Sequence, residues 1–330
     1  MTRGETEEEV RSAAEAAATE PYETAEPHEE AEFSTATGVA AGDVGGRRAS
    51  LWADAWRDLR RNPIFLISAV LILVMITMAA FPQLFTDANA YTQDCDLSKS
   101  KKGPMPGHPF GFDVQGCDFY TNVIYGARPS IIIGVMVTLI ALAIAVVLGT
   151  ASGYYGGVVD GIIARVTDVV FGLPLLLGAT VILVASPTRG VWKVCLVLAA
   201  LWWTTMTRLM RSSVLSVRNM DYVGAAKGLG ASDLRVMIKH ILPNALPPVI
   251  VYATLNVGIV ISAGATLTFL GVGLQAPAVS WGLQLNTARY FFLDYPHLLL
   301  FPSLFLSVTV LAFILLGDAV RDALDPKLRS

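Results

Sequence analysis

Charge is what this chain has least of. Asp, Glu, Lys and Arg make up 15% of its 330 residues, where a soluble globular domain usually carries about 25%. Apolar side chains reach 54% and mean hydropathy is +0.55. A water-soluble enzyme or binding domain is excluded, and the composition is that of a polytopic membrane protein. The sequence has no G-x-x-x-x-G-K-[ST], no H-E-x-x-H, no G-x-S-x-G and no C-x-x-C. The common routes to nucleotide, zinc, acyl-transfer and redox chemistry are therefore missing. Four histidines, His28, His108, His240 and His297, are scattered, so no metal site and no catalytic constellation is expected. Nor does any stretch alternate in the manner of a barrel strand, which leaves helices as the means of crossing a bilayer.

The charge that is present is unevenly placed. Residues 1–46 hold 12 acidic and 2 basic side chains, and the remainder holds 15 acidic and 22 basic. This Ala-, Glu- and Thr-rich segment has too few bulky apolar residues to offset its ordering entropy, and it reads as a disordered acidic tail with at most a transient helix over Glu5–Ala18. It lacks the basic start and apolar core of a signal peptide. Residues 47–62 follow as an amphipathic interfacial helix. Leu51, Trp52, Ala55, Trp56 and Leu59 share one face opposite Arg57, Arg60 and Arg61, and Asn62-Pro63 closes the stretch.

Residues 63–330 contain six apolar runs, about Ile64–Phe81, Ile131–Thr150, Ile162–Val184, Val191–Leu209, Leu246–Leu270 and Leu298–Leu316. Each has roughly the 17–25 residues that span a bilayer core. The expected fold is an all-α membrane protein of six transmembrane helices. Arg47, Arg48, Arg57, Arg60 and Arg61 precede the first run. Arg208, Arg211, Arg218, Lys227, Arg235 and Lys239 lie around the fourth connection, and Arg321, Lys327 and Arg329 follow the sixth run. Basic residues favour the cytoplasm, so both termini and the loop 218–245 are expected there. The loop 85–128 is expected on the other side, where Lys99, Lys101 and Lys102 are balanced by Asp94 and Asp96. That side is oxidising, so Cys95 and Cys117 are expected to form a disulfide. Two Cys and His108 would not close a zinc site. Cys195, within an apolar run, reads as packing.

Asp160, Arg165 and Asp168 stand at the start of the third run. Arg165 and Asp168 share a helix face, and the group reads either as helix-packing ion pairs or as a gating element. Gly172 and Pro174 break the same run.

The segment Asp221–Asn244, DYVGAAKGLGASDLRVMIKHILPN, is polar and basic between two apolar runs. Asp221 can cap a short helix. Tyr222 and Val223 supply an aromatic and a branched apolar contact. Gly224, Ala225 and Ala226 have so little side chain that another surface can approach closely, with Lys227 beside them. Gly230 can adopt the left-handed conformation that ends a helix. After Ala231, Ser232 or Asp233 can start a second helix over Leu234–Ile241, stopping before Pro243. An amphipathic connector and a docking element both fit these residues.

The order Ala225-Ala226, Gly230, Leu242-Pro243 resembles the cytoplasmic "EAA" loop of importer permeases in the ATP-binding-cassette class. Further stretches resemble the C-type permease of dipeptide and oligopeptide importers: HPFGFD at His108–Asp113, IYGARPSIIIG at Ile124–Gly134, GYYGGVVDGIIARVTDVV at Gly153–Val170, TFLGVGLQAPAVSWG at Thr268–Gly282 and LLGDAVRDALDPKLR at Leu315–Arg329. Gly224 stands where the family has Glu, His240 where the consensus has Ile, and Cys117 where the family commonly has Arg.

The resemblance implies a transport subunit that is not itself an enzyme and holds no cofactor, with ATP bound by partners. It implies a second homologous permease, two cytoplasmic ATPase domains, an extracytoplasmic substrate-binding protein and a lipid bilayer as partners, with no nucleic acid. Asp221, Tyr222, Val223, Gly224, Ala225, Ala226, Lys227, Gly230, Ala231, Leu242 and Pro243 would couple to the ATPase. Pro277–Tyr290 would form a short outer helix near the docked binding protein, where Arg289 meets either that partner's acidic surface or solvent; Trp281 by its residue type suits an interfacial anchor. Peptides lead as cargo; nickel chelates and other small solutes are carried by relatives, and a gradient-driven carrier is the alternative class. The substrate-binding residues are not identified by the sequence.

Overall fold

In the computed structural model, residues 56–187 and 190–324 are described. The acidic tail, the expected transient helix within it, positions 47–55 of the expected interfacial helix, and Lys327 and Arg329 lie outside the described residues. Among the described residues there is no strand, only two isolated bridges, Met105 with His108 and Phe112 with Asp118.

From Pro63 onward the described residues form ten α-helices in chain order: α1 (Pro63–Ala80), α2 (Phe119–Tyr155), α3 (Gly157–Phe171), α4 (Leu175–Val184), α5 (Val191–Arg218), α6 (Asp221–Gly228), α7 (Asp233–Val236), α8 (Leu242–Phe269), α9 (Trp281–Ala288) and α10 (His297–Leu324). Each boundary has a local cause. Asn62 caps α1 by accepting from the amides of Ile64 (2.9 Å) and Phe65 (3.4 Å), and Pro63 occupies the first turn, where no N–H is needed. Asp118 caps α2 through its carboxylate and the Thr121 amide at 2.8 Å. Residues 56–59 are helical, and Leu59 packs with Ala319 and Ala323 of α10.

Among the described residues, four helical stretches are long and apolar enough to cross a membrane: α1, α2, α7 continued into α8, and α10. The chain is a multi-pass membrane protein. The six-helix expectation needs correcting at two places. The third run is not one straight span, because α3 and α4 are bent by 79° about Gly172–Pro174. Pro174 has no amide to continue the ladder and disfavours helical geometry in Leu173. The fourth run extends past Leu209 to Arg218 as α5, 28 residues long. Lys193, Arg208 and Arg211 within it leave it less apolar than the other spans.

The second run begins not at Ile131 but at Phe119, so α2 carries Pro129 inside it. Ser130 Oγ donates to the Gly126 carbonyl at 3.0 Å, a side-chain bond of the kind that supports a proline-disturbed turn in lipid. At 37 residues, α2 is about 55 Å long, which exceeds a bilayer core.

Apolar burial does not drive helices together in lipid, where tails are as apolar as leucine; close van der Waals approach does. The α2–α5 crossing shows how. A methyl at Gly149 would come within 2.6 Å of Met210 Cβ, and one at Gly153 within 2.8 Å of Val214 Cβ. The two glycines let the backbones meet. The core falls into three tiers: Phe119, Val123, Ile124, Trp281 and Leu298 at the disulfide end, Val137, Leu198, Val260 and Leu267 in the middle, and Met210, Val214, Val223, Val236 and Ile241 at the loop end.

Candidate functional site

The loop-end site is a helix, a bend and a second helix. Asp221 does not cap α6 as expected. It is the first helical residue, Met220 holds the cap position, and no side chain accepts there; an acidic group in the first turn still complements the helix dipole. The bend is at Gly230, with φ of 81°. The Ala231 amide donates to the Ala226 carbonyl at 3.1 Å and the Gly230 amide to Lys227 at 2.9 Å. This is the paired closure that satisfies the last carbonyls of a helix, and it needs a left-handed residue at its centre.

The second helix begins at Asp233 but does not stop before Pro243. It passes through a wide turn at Met237–Ile241 and continues as α8. The wide turn precedes Pro243, which has no amide to donate and would clash in a regular turn. Leu242 is half-buried and Pro243 exposed at the start of α8.

Val223, Val236 and Ile241 are buried against Met210 and Val214 of α5 and Tyr154 of α2. They fasten the loop to the bundle. The opposite side carries Gly224 and Ala225 exposed and Ala226 half-buried. A Cβ at Gly224 would meet nothing within 4 Å. Around this low surface stand large exposed apolar groups: Tyr222 at 44% exposure, Leu234 at 63% and Leu229 at 89%. Exposed apolar groups beside small residues make this a candidate interaction surface.

Tyr154, which the sequence pattern does not single out, ties this loop to the helices, and Arg211 ties α3 to α5. Tyr154 Oη donates to Asp233 Oδ1 at 2.5 Å, and Lys227 Nζ lies 4.5 Å from the Tyr154 ring centroid. Asp160 is held by Arg211, whose Nη2 reaches Oδ2 at 2.6 Å, and by Ser152 Oγ. Arg208 Nη2 bonds Asp168 Oδ1 at 2.8 Å and its guanidinium lies 4.6 Å from the Phe171 ring centroid. The pair expected between Arg165 and Asp168 does not form. Arg165 is exposed, and Arg208 and Arg211 reach the two carboxylates from α5 instead. The signal available in the sequence was the run Gly153–Gly157, where two tyrosines precede two glycines.

At the other end, Cys95 and Cys117 are disulfide-bonded. Asp113 beside them accepts from the amides of Gln115 (2.8 Å) and Cys117 (2.9 Å) and from Asn122 Nδ2 (2.9 Å). Burial pushes its carboxyl above the usual carboxylate range, and these hydrogen bonds oppose that rise. A cavity of about 330 Å³ lies between this segment and α9, bordered by Tyr91, Asp113, Asn122, Ser280 and Gln284. Ser280 caps α9. Trp281 is not an interfacial anchor. It is fully buried and its Nε1 donates to the Val123 carbonyl at 2.9 Å, with Gly126 leaving room for the indole. Arg289 is half-buried rather than turned out to solvent, with its guanidinium over Tyr290 at 4.7 Å and Phe269 at 5.5 Å.

A multi-pass helical bundle that presents an exposed loop of small residues fits a transport permease. The chain belongs to the family of binding-protein-dependent transport system inner membrane components, whose model matches residues 141–330. Residues 50–104 match the N-terminal transmembrane domain of oligopeptide transport permease C. The chain is similar to the oligopeptide transport system permease protein OppC of Bacillus subtilis strain 168, at 36% identity over 88% of this chain and 95% of that one. It is 38% identical to the dipeptide transport system permease protein DppC of the same organism, over 84% of this chain and 86% of that one. The glutathione transport system permease protein GsiD of Pectobacterium atrosepticum matches at 36% identity, over 84% and 92%.

Proposed function

We propose that this chain is one of two permease subunits of an ATP-driven importer, and that it forms with a homologous partner the path for peptides delivered by an external binding protein. α5 and the bent α3–α4 pair would complete six membrane helices, with both termini on the cytoplasmic side. The observation that carries the coupling role is the exposed Gly224–Ala225 surface, flanked by Tyr222, Leu229 and Leu234 and fixed to the bundle by Val223 and Val236. A cytoplasmic ATPase that bound there would have a rigid handle. ATP chemistry belongs to that partner, and this chain supplies a bundle with two access states.

Peptide cargo is supported by the relatives named for oligopeptide and dipeptide transport. The glutathione-transport relatives favour glutathione as a second reading. Competition of labelled peptide uptake by excess glutathione separates the two.

The test begins with the tagged chain purified from its native membrane. Co-purification of ATPase subunits and a second permease is expected. A homo-oligomer with no ATPase, and uptake that follows an ion gradient, would sink the proposal. Ala225→Arg, placed on the exposed surface, is expected to abolish uptake while membrane insertion remains normal.

A further inference from the structure

We propose that Tyr154 is a positioning residue that latches the coupling loop to the α2–α3 corner, so that movement of the loop is delivered to that corner. The inference rests on the coupling reading above and names the contact through which it acts.

Tyr154 is the penultimate residue of α2 and is buried. Its side chain touches both arms of the loop. The hydroxyl donates to Asp233, the first residue of α7, and the ring lies beneath Lys227, in the last turn of α6. These two partners lie on opposite sides of the Gly230 bend. A rigid-body tilt of the loop therefore cannot leave Tyr154 behind without losing a hydrogen bond to a carboxylate and a cation–π contact together.

Just beyond Tyr154 the chain turns a built corner. Gly156 has φ of 66° and Gly157 has φ of 51°, two successive left-handed residues at which α2 gives way to α3. Such residues absorb backbone rotation at hinges. On the far side of the corner, Asp160 is fastened to Arg211 of α5 and to Ser152 of α2. Arg218 Nη1 also donates to the Gly153 carbonyl at 3.3 Å. Charges that would be expensive near lipid are thereby paired across the corner. The loop holds Tyr154, Tyr154 adjoins the hinge, and the hinge carries α3 and the bent α4.

The test uses the whole transporter, reconstituted in vesicles with its ATPase subunits, and reads peptide taken up per ATP hydrolysed. Tyr154→Phe keeps the ring and removes only the hydroxyl. It is expected to lower that ratio by about tenfold, the factor that corresponds to one hydrogen bond to a charged group, while ATPase subunits still co-purify and still hydrolyse ATP. Asp233→Ala is expected to have the same effect, and the double variant no further effect, because both remove one contact. Asp233→Asn keeps an acceptor without its charge and is expected to recover part of the lost ratio, falling between Asp233→Ala and the unmodified chain.

An unchanged ratio in Tyr154→Phe, or losses that multiply in the double variant, would overturn the latch. Loss of the ATPase from the Tyr154→Phe complex would do so as well, by making Tyr154 a support for docking. If the unmodified chain recovers no ATPase, the coupling reading fails first and is recognised separately.

Discussion

Gly224 and Gly230 sit in one loop, yet a methyl group is expected to act oppositely at the two. Gly224 is helical and open, with nothing within 4 Å of a Cβ, so Gly224→Ala should stabilise α6 by about 0.5–1 kcal/mol through reduced chain entropy. Gly230 holds φ of 81°, and Gly230→Ala should cost about 1–2 kcal/mol. Thermal unfolding of the two purified variants checks the sign. The sequence pattern pointed to the bend because only glycine suits it; it did not show Tyr154 reaching Asp233, a contact between residues far apart in the chain. A second residue-scale expectation concerns Asp113. Its carboxyl titrates above the usual value because it is buried. A raised native pKa gives stability that is full below the unfolded value and is lost as pH rises through the native one. As pH rises above about 4, the ordinary carboxylate value, the stability of Asp113→Asn relative to the unmodified chain should therefore move in the variant's favour. Unfolding midpoints measured across that range would refute this by running parallel.

Among the elements, α1, α8 and α10 were legible because an uninterrupted apolar run and a bilayer core have the same length. α2 was legible only in its apolar half. Its first turns, Phe119–Arg128, read as loop, but they fold as helix because Asp118 caps them and Trp281 packs on Gly126. The bend between α3 and α4 was legible as a break at Pro174 and not as an angle, since the angle is set by what the two helices pack against. Trp281 was misplaced for a related reason: composition marks an indole as amphipathic, and only the fold shows the Val123 carbonyl that satisfies its N–H. The α2–α5 crossing carries its own expectation. Gly149→Val would force atoms into Met210 and should destabilise by about 1–3 kcal/mol. Gly161→Ala on α3, where nothing lies within 4 Å, should be neutral or slightly stabilising. Equal effects in thermal unfolding would show that the crossing does not depend on small residues.

For the whole molecule, the two ends are expected to be separable. The Cys95–Cys117 bridge closes a sequence separation of 22 residues, a loop for which the chain-entropy model gives about 3 kcal/mol. Cys95→Ser should loosen the segment around Asp113 and raise its hydrogen exchange, while ATPase recovery at the Gly224–Ala225 surface stays unchanged. Loss of that recovery would show that the ends are mechanically one body at rest. Two long helices join them, α2 and the helix that ends at Phe269. From Asp233 to Phe269 the helix runs 37 residues without a break in its axis sharp enough to divide it, a rod of about 55 Å. Its lower end holds the loop, and its upper end receives Asn286 of α9 on the Phe269 carbonyl. A lever of that reach, pivoted at its base by about 10°, sweeps its tip through about 10 Å. Were an ATPase to tilt the loop in this way, the displacement would be felt most at the Asn286 contact, farthest from where it was applied.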